Sequence, residues 1–538
     1  MENIHKCKRL GTMIDCSRNA VMLPEKVEQW IDLTADLGYN CLMLYTEDTY
    51  EVENEPYFGH LRGRYSCEEL KRLDAYAMQK GMELIPCIQA LAHLNTIFRW
   101  PDYQDVRDVG AILMVGEERT YELIDRMFAT ISKTFRSKIV NVGLDEAWLL
   151  GRGRYLNKNG YREQSDILLE HLNRISQIAK KYDLQLIMWD DMFFRAINNG
   201  DYYADDLEIS EEVKAKIPEN VSLIYWDYYS VDAEHYDKQL RTHMQIKEGM
   251  WFAGGLWCWS GFAPHNAFAI EAMGRAMKQC MKHGVENIFM TLWSDDGGEC
   301  SRYAMLPSLY YVSELAKGNE DMESIKRGFE AKYQIPFDEF MLLDLLGTPN
   351  EKHCEVVNPD KYMLYSDCFM GLFDSRVAPG QAESYAQCAQ KLEKWTTHPQ
   401  YGRLFLSLKA LCDVMGIKYD LGVRTRNAYL SEDKAALKSL IDEYALLMSR
   451  LDYFYEVYRE QWMEENKPFG FEIQDLRMGG LSRRVKHCRD RLQAYVDGKL
   501  AHIEELEAPV LDIRGEQGVC GEALLYTGWT SIVSTNVL

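Results

Sequence analysis

Lys138-Ile-Val-Asn-Val-Gly-Leu-Asp-Glu146-Ala-Trp148 is the stretch on which the reading of the chain turns. Ile139, Val140 and Val142 make a short apolar run, which Gly143 ends before two adjacent carboxylates, Asp145 and Glu146. A strand of a parallel sheet is covered on both faces and reads as almost wholly apolar. Acids at its C-terminal end stand where α/β folds carry their chemistry. A strand end followed by a solvated Asp-Glu turn reads the same way, since acidic pairs are common on surfaces. The rest of the chain decides between the two.

Working outward, short apolar runs recur at 11–15, 41–46, 83–88, 139–144, 184–189, 222–226, 252–257 and 287–292. Between them lie amphipathic stretches at 24–37, 67–80, 120–134, 164–182 and 267–283. Pro24 near one start, and Gly81 and Gly284 just past two ends, follow the usual cap asymmetry. Eight strands alternating with helices predict an α/β fold of the (β/α)8 TIM-barrel type. A doubly wound sheet is the competitor, but no GxGxxG turn follows the first strand. From about residue 306 strands give way to helical periodicity at 313–332, 380–394, 403–415, 431–461 and 480–506. The expected organisation is a barrel over 1–305, an all-α domain over 306–507 and a C-terminal tail over 508–538.

Composition narrows the function. The 538 residues carry 61 Lys and Arg against 83 Asp and Glu, a net charge of −22. Such a surface repels nucleic acid and anionic membranes. No apolar h-region opens the chain and no run is long enough to span a bilayer. The 14 Cys are scattered without CxxC or His-paired spacing, which favours reduced thiols in a cytoplasmic protein over disulfides or zinc.

The strand ends form one list. They are Asp15-Cys-Ser-Arg18, Thr46-Glu-Asp48, Gln89 to His93, Asp145-Glu146 with Trp148, Trp189-Asp-Asp191, Trp226-Asp-Tyr228-Tyr229, Trp257-Cys-Trp259 and Trp293-Ser-Asp295-Asp296. Five of these eight carry Trp, and any one of those indoles could simply pack the barrel mouth. Repeated at one face, a residue so large and rare points to something that stacks there. A sugar offers apolar C–H faces to indoles and hydroxyls to carboxylates and Arg. A metal is disfavoured because the acids lack a His at ligand spacing, and no cofactor is called for. Asp145 and Glu146 are neighbours and do not easily reach opposite faces of one sugar. That suits the substrate-assisted exception, in which a 2-acetamido oxygen attacks C1. Glu146 would then be the general acid and base, and Asp145 would accept the acetamido N–H.

Gly143-Leu-Asp-Glu146, Trp293-Ser-Asp295, Met13-Ile-Asp-Cys-Ser-Arg18 and Pro86-Cys-Ile-Gln-Ala-Leu-Ala-His93 together resemble glycoside hydrolase family 20, the exo-β-N-acetylhexosaminidases. The layout, a barrel at the N-terminus and a helical domain after it, resembles the bacterial N-acetyl-β-glucosaminidase branch. The resemblance implies Asp145 as the acetamide-orienting residue and Glu146 as the acid/base. It implies walls from Trp189, Trp226, Trp259 and Trp293, with Asp295 on outer hydroxyls. It also implies a supporting dyad of His93 with Asp48; a satisfied structural histidine is the alternative for His93. The family's substrate-gripping Arg has Leu10 at its position, with Arg9 one residue off and Arg18 as the second Arg of that motif. The family's Tyr from the seventh-strand region has no counterpart at 257–262, which leaves Tyr228 or Tyr229.

Residues 462–471, Trp-Met-Glu-Glu-Asn-Lys-Pro-Phe-Gly-Phe, read either as a helix–helix corner or as a loop capping a barrel mouth. The expected partner is a small oligosaccharide or glycoconjugate, and a homodimer is one assembly open to the chain. Competing functions are an O-GlcNAcase-like or chitinase-like hydrolase and a non-catalytic saccharide-binding barrel. The paired acids of those two hydrolase families are not evident at the fourth strand, and a binding barrel has no need of both Asp145 and Glu146.

Overall fold

The computed structural model describes residues 7–205, 207–348 and 356–538. Eight parallel strands close into a barrel in sequence order: β1 Arg9–Asp15, β2 Cys41–Tyr45, β3 Glu83–Cys87, β4 Ile139–Asn141, β5 Gln185–Trp189, β6 Val221–Trp226, β7 Trp251–Gly255 and β8 Asn287–Leu292. β8 closes on β1 with Leu10 opposite Ile288 and Ile14 opposite Leu292. Met13, Met43, Ile85, Ile187, Ile224 and Phe289 fill the interior as fully buried side chains. A layered apolar core of this kind makes the barrel a packed solid, with its polar groups at the strand ends.

The connecting helices follow from local signals. Pro24–Leu37 starts on proline and ends at Gly38, whose φ of 97° makes the left-handed cap. Cys67–Gln79 opens with a capping box between Ser66 and Glu69, which satisfies two otherwise unpaired N–H groups. Glu118–Thr134, Gln164–Lys180 and Asn266–His283 put their apolar stripes inward.

The chain divides into two compact units. One takes Met1–Leu256, Ala269–Trp293 and Leu309–Ile325; the other takes Trp257–Phe268, Ser294–Ser308 and Lys326–Leu538. Within the second, Gln381–Glu393 packs on Gly402–Leu430, which packs on Lys434–Glu465, which packs in turn on Phe471–Val496. Two helix expectations are corrected. The stretch 313–332 is not one helix, because Gly318 at φ 84° separates Leu306–Ala316 from Met322–Tyr333. The last long helix does not begin at Gly480: it begins at Phe471, runs through Gly479 and Gly480, and ends at Val496 before Gly498 at φ 72°. Residues 462–471 form a corner, with Trp462 buried against Tyr458 and Phe471 and its indole N–H donating to the Lys467 carbonyl at 3.3 Å.

Among the described residues no helix is long and apolar enough to cross a membrane, and no group of three His, Cys, Asp or Glu could hold a metal ion. The first six residues, expected to lack a leader segment, lie outside the described chain.

Candidate active site

β4 is cut short by its own sequence. The strand stops at Asn141, because Gly143 and Leu144 both take φ of 71° and Glu146 takes 50°. Left-handed backbone at a leucine and a glutamate is costly and persists only where surrounding contacts fix it. Those contacts are present. The Leu144 N–H donates to Gln89 Oε1 at 3.3 Å, and the Glu146 N–H donates to Asp191 Oδ2 at 3.0 Å. Gly143 has no alternative here, since a Cβ on it would lie 2.0 Å from Gln89 Oε1.

Gln89 is the hub. Its Nε2 donates to Asp145 Oδ1 at 2.7 Å and to the Tyr45 hydroxyl at 2.9 Å. Tyr45 in turn donates to Glu47 Oε1 at 3.0 Å, and the Arg18 guanidinium sits 2.9 Å from the same oxygen. On its other side Asp145 faces His93, with Nε2 3.2 Å from Oδ2; the same nitrogen is 3.7 Å from Glu146 Oε2. The side chains of Asp145 and Glu146 are 13% and 45% exposed, so one acid is enclosed and the other faces solvent.

The neighbours have opposite electrostatics. Burial pushes the Asp145 carboxyl up, but the charge of His93 and hydrogen bonds from His93 and Gln89 outweigh it and hold the group below the usual carboxylate range. Glu146 is pushed up, first by burial and then by the Asp145 charge. Burial also acts against the cation on His93, yet Asp145 and Glu47 raise that group to about 9. Glu47 is raised to about 7 by its own burial, with Arg18 and His93 opposing. Asp191 is pushed well up, first by its burial and then by the Asp145 charge.

The aromatic residues divide. Trp293 and Trp226 are partly buried and pack on the barrel core, Trp293 with Tyr45 edge-on at 4.9 Å and Trp189 at 5.9 Å. Trp189, expected as a wall of the sugar pocket, is 1% exposed and packs with the barrel interior. Tyr228 is buried and stacks on Trp226 at 5.5 Å, while Tyr229 is exposed. Trp259 and Asp295 fall in the second unit, where Trp259 is buried and stacked on Trp257 at 4.2 Å and Asp295 opens the short turn Asp295–Gly297.

Two more expectations are corrected. Arg9 stands at the N-terminal start of β1, where it pairs with Glu83 at 2.8 Å and lies over the Trp251 ring, six positions before Asp15 on the same strand. At roughly 3.3 Å per residue that places it about 20 Å from the chemistry. The His93–Asp48 dyad is replaced: Asp48 accepts from Thr96 Oγ1 at 2.7 Å and from Arg62 Nε at 3.4 Å, and the carboxylate beside His93 is Asp145. Gln89, Glu47 and Asp191, also at strand ends, carry structural roles here that their sequence positions alone do not announce. A buried Gln in an apolar run was the available signal.

Residues 9–246 match the family model described as glycosyl hydrolase family 20, catalytic domain, and residues 338–524 match the one described as glycoside hydrolase 20C C-terminal domain. Hexosaminidase D of Bos taurus is 25% identical over 249 residues, which is 44% of this chain and 66% of that protein. Hexosaminidase D of Homo sapiens is 23% identical over 36% of this chain and 39% of that protein, so the chain spans less than two thirds of either relative. Among solved structures, a β-N-acetylhexosaminidase from Bacteroides fragilis aligns with a TM-score of 0.46 at 17% identity, covering 61% of this chain and 70% of that one. With the two models together covering most of its length, this chain belongs to glycoside hydrolase family 20.

Proposed function

We propose that the protein is a retaining exo-β-N-acetylhexosaminidase that removes terminal β-linked GlcNAc or GalNAc by substrate-assisted catalysis. The observation that carries this reading is the divergence of two adjacent acids. Asp145 is enclosed, hydrogen-bonded and ionised, while Glu146 is solvent-facing and held toward its protonated form. Two carboxyl groups with environments that push them apart are the signature of divided acid and base roles.

In the first step the acetamido carbonyl oxygen of the substrate attacks C1. Glu146 gives its proton to the departing glycosidic oxygen. Asp145 accepts the acetamido N–H and balances the positive charge that develops on the oxazolinium ring. In the second step Glu146, now ionised, takes a proton from water, and the water oxygen bonds to C1 as the bond from C1 to the oxazolinium oxygen breaks and the acetamido group is restored. Two inversions give retention. His93 and Gln89 hold Asp145 ionised and aimed; Asp191 fixes the backbone turn that presents Glu146. A cytoplasmic setting is part of the same proposal, supported by buried free thiols such as Cys16, Cys41 and Cys87.

The test is initial rates on an aryl N-acetyl-β-glucosaminide beside the matching aryl β-glucoside. Hydrolysis of the first with almost none of the second is expected, because only the first carries the nucleophile. Equal rates would refute the substrate-assisted route, and turnover of neither would refute the activity.

A further inference from the structure

Trp148 stands two residues beyond Glu146, and no step above uses it. It is 45% exposed, with Leu149 beside it at 53%, whereas Trp189 and Trp259 are buried. Single exposed apolar residues are ordinary on a protein surface. Three further observations separate this one. Its backbone is fixed on both sides: its N–H donates to the Glu146 carbonyl at 2.8 Å, and its own carbonyl accepts from Gln164 Nε2 at 2.7 Å. One indole face is taken, since the Arg195 guanidinium lies 4.3 Å from the ring centroid. Arg195 is itself tied down, with Nη1 donating to the Gly200 carbonyl at 2.8 Å. The Arg195 charge also reaches Glu146, where it opposes the upward push on the carboxyl. Acid, indole and cation are therefore close neighbours.

A general acid must lie within hydrogen-bond reach of the oxygen it protonates. Whatever hangs from that oxygen leaves the pocket past Glu146, and the turn that carries Glu146 carries Trp148. We infer that Trp148 is the platform for the aglycone, stacking a ring with a flat apolar face, either a pyranose or an arene, on the indole surface that Arg195 does not cover. Arg195 is its positioning residue. This rests on the hydrolase reading above and adds the class of leaving group the site prefers.

The experiment compares kcat/KM for benzyl and methyl N-acetyl-β-glucosaminides, whose leaving alcohols have similar acidity but differ in carrying a ring. Wild type is expected to favour the benzyl glycoside. Trp148→Ala should lower the benzyl-to-methyl ratio about three- to tenfold, the size of one aromatic stacking contact, and Trp148→Phe should restore part of it. A ratio unchanged in Trp148→Ala, or near one in wild type, would overturn the inference and leave the activity standing. So would both rates falling in step, as they would if Trp148 merely held the Glu146 turn. Wild type that turns over neither glycoside would refute the activity and the inference together.

Discussion

Gly143→Ala probes whether the acid pair is aimed by the packing of Gln89 against the β4 turn. The new Cβ would lie 2.0 Å from Gln89 Oε1, 2.3 Å from its Cδ and 2.5 Å from its Nε2. These separations are more than about 1 Å too short for van der Waals contact between such atoms. The amide has nowhere easy to go, because it is held by Asp145, Tyr45 and the Leu144 N–H. Two costs follow. Alanine at φ 71° costs about 1–2 kcal/mol in the folded state. Displacing Gln89 from Asp145 removes a hydrogen bond to a charged group, about 1.5–3 kcal/mol. If that second term falls mainly on the transition state, where Asp145 meets the oxazolinium charge, kcat/KM drops roughly ten- to a hundredfold. The assays are kcat/KM on an aryl N-acetyl-β-glucosaminide and thermal unfolding, run as a double-mutant cycle with Gln89→Ala. In the Gln89→Ala background the clash is gone, so Gly143→Ala should cost only the backbone term and hardly lower the rate further. Strictly additive losses in the cycle, or a Gly143→Ala enzyme of wild-type kcat/KM, would refute the argument.

Glu146→Gln keeps the shape and removes the transferable proton, and kcat on an alkyl glycoside is expected to fall about a hundredfold or more. Because Glu146 is raised, activity should fall on the alkaline side as it loses its proton; Arg195→Met, which removes a lowering charge, should move that limb to higher pH in a pH–rate profile. His93 gives a stability prediction. Its folded value of about 9 exceeds the unfolded 6.5, so the stabilisation of roughly 3 kcal/mol is complete below about pH 6.5 and lost as pH rises through about 9. Wild type should therefore lose Tm across that window relative to His93→Gln. Glu47 has the opposite sign: an acid raised to about 7 destabilises the fold as pH climbs from 4.5 through 7, so Glu47→Gln should raise Tm at about pH 8 and leave it nearly unchanged at about pH 4. Arg9→Met, far from the chemistry, should change kcat/KM less than about twofold and cost at most about 1 kcal/mol in unfolding.

The barrel was legible because every strand is a short apolar run between turn signals, and the structure moves strand ends by only a few residues. The larger slips have named causes. β4 was expected to reach residue 144, and left-handed backbone at Gly143 and Leu144 stops it at Asn141. β7 was expected to reach 257 and ends at Gly255, where the chain passes into the second unit. The helix expected from Gly480 starts instead at Phe471, and Gly479 and Gly480 both sit inside it, where tertiary packing on Lys434–Glu465 overrides a propensity cost of about 1 kcal/mol each. Arg9 could not be placed from a motif offset of one residue, because in a strand the end of the barrel a residue occupies depends on where pairing begins. Leu10 pairs with Ile288 at the closed seam, and that register is a long-range fact.

Four residues at or beside the acid pair share one physical property, a strained backbone. Glu47, His93, Leu144 and Glu146 all have positive φ, from 48° to 71°, and all lie just past the ends of β2, β3 or β4. Each such residue costs folding free energy of order 1 kcal/mol or more, which regular strand geometry would avoid. Here the cost purchases direction. A strand continued past Asn141 would alternate its side chains between the barrel interior and the surrounding helices, so neighbours such as Asp145 and Glu146 would point to opposite faces. The left-handed steps at Leu144 and Glu146 break that alternation, and both acids come within 4 Å of the same His93 nitrogen. The hydrogen bonds from Leu144 to Gln89 and from Glu146 to Asp191 are what hold the break open. Asp191 accepts the Glu146 N–H in a position where burial first, and then the Asp145 charge, push its own carboxyl well up, so that its pull on the turn and its distance from Asp145 are set by the same packing.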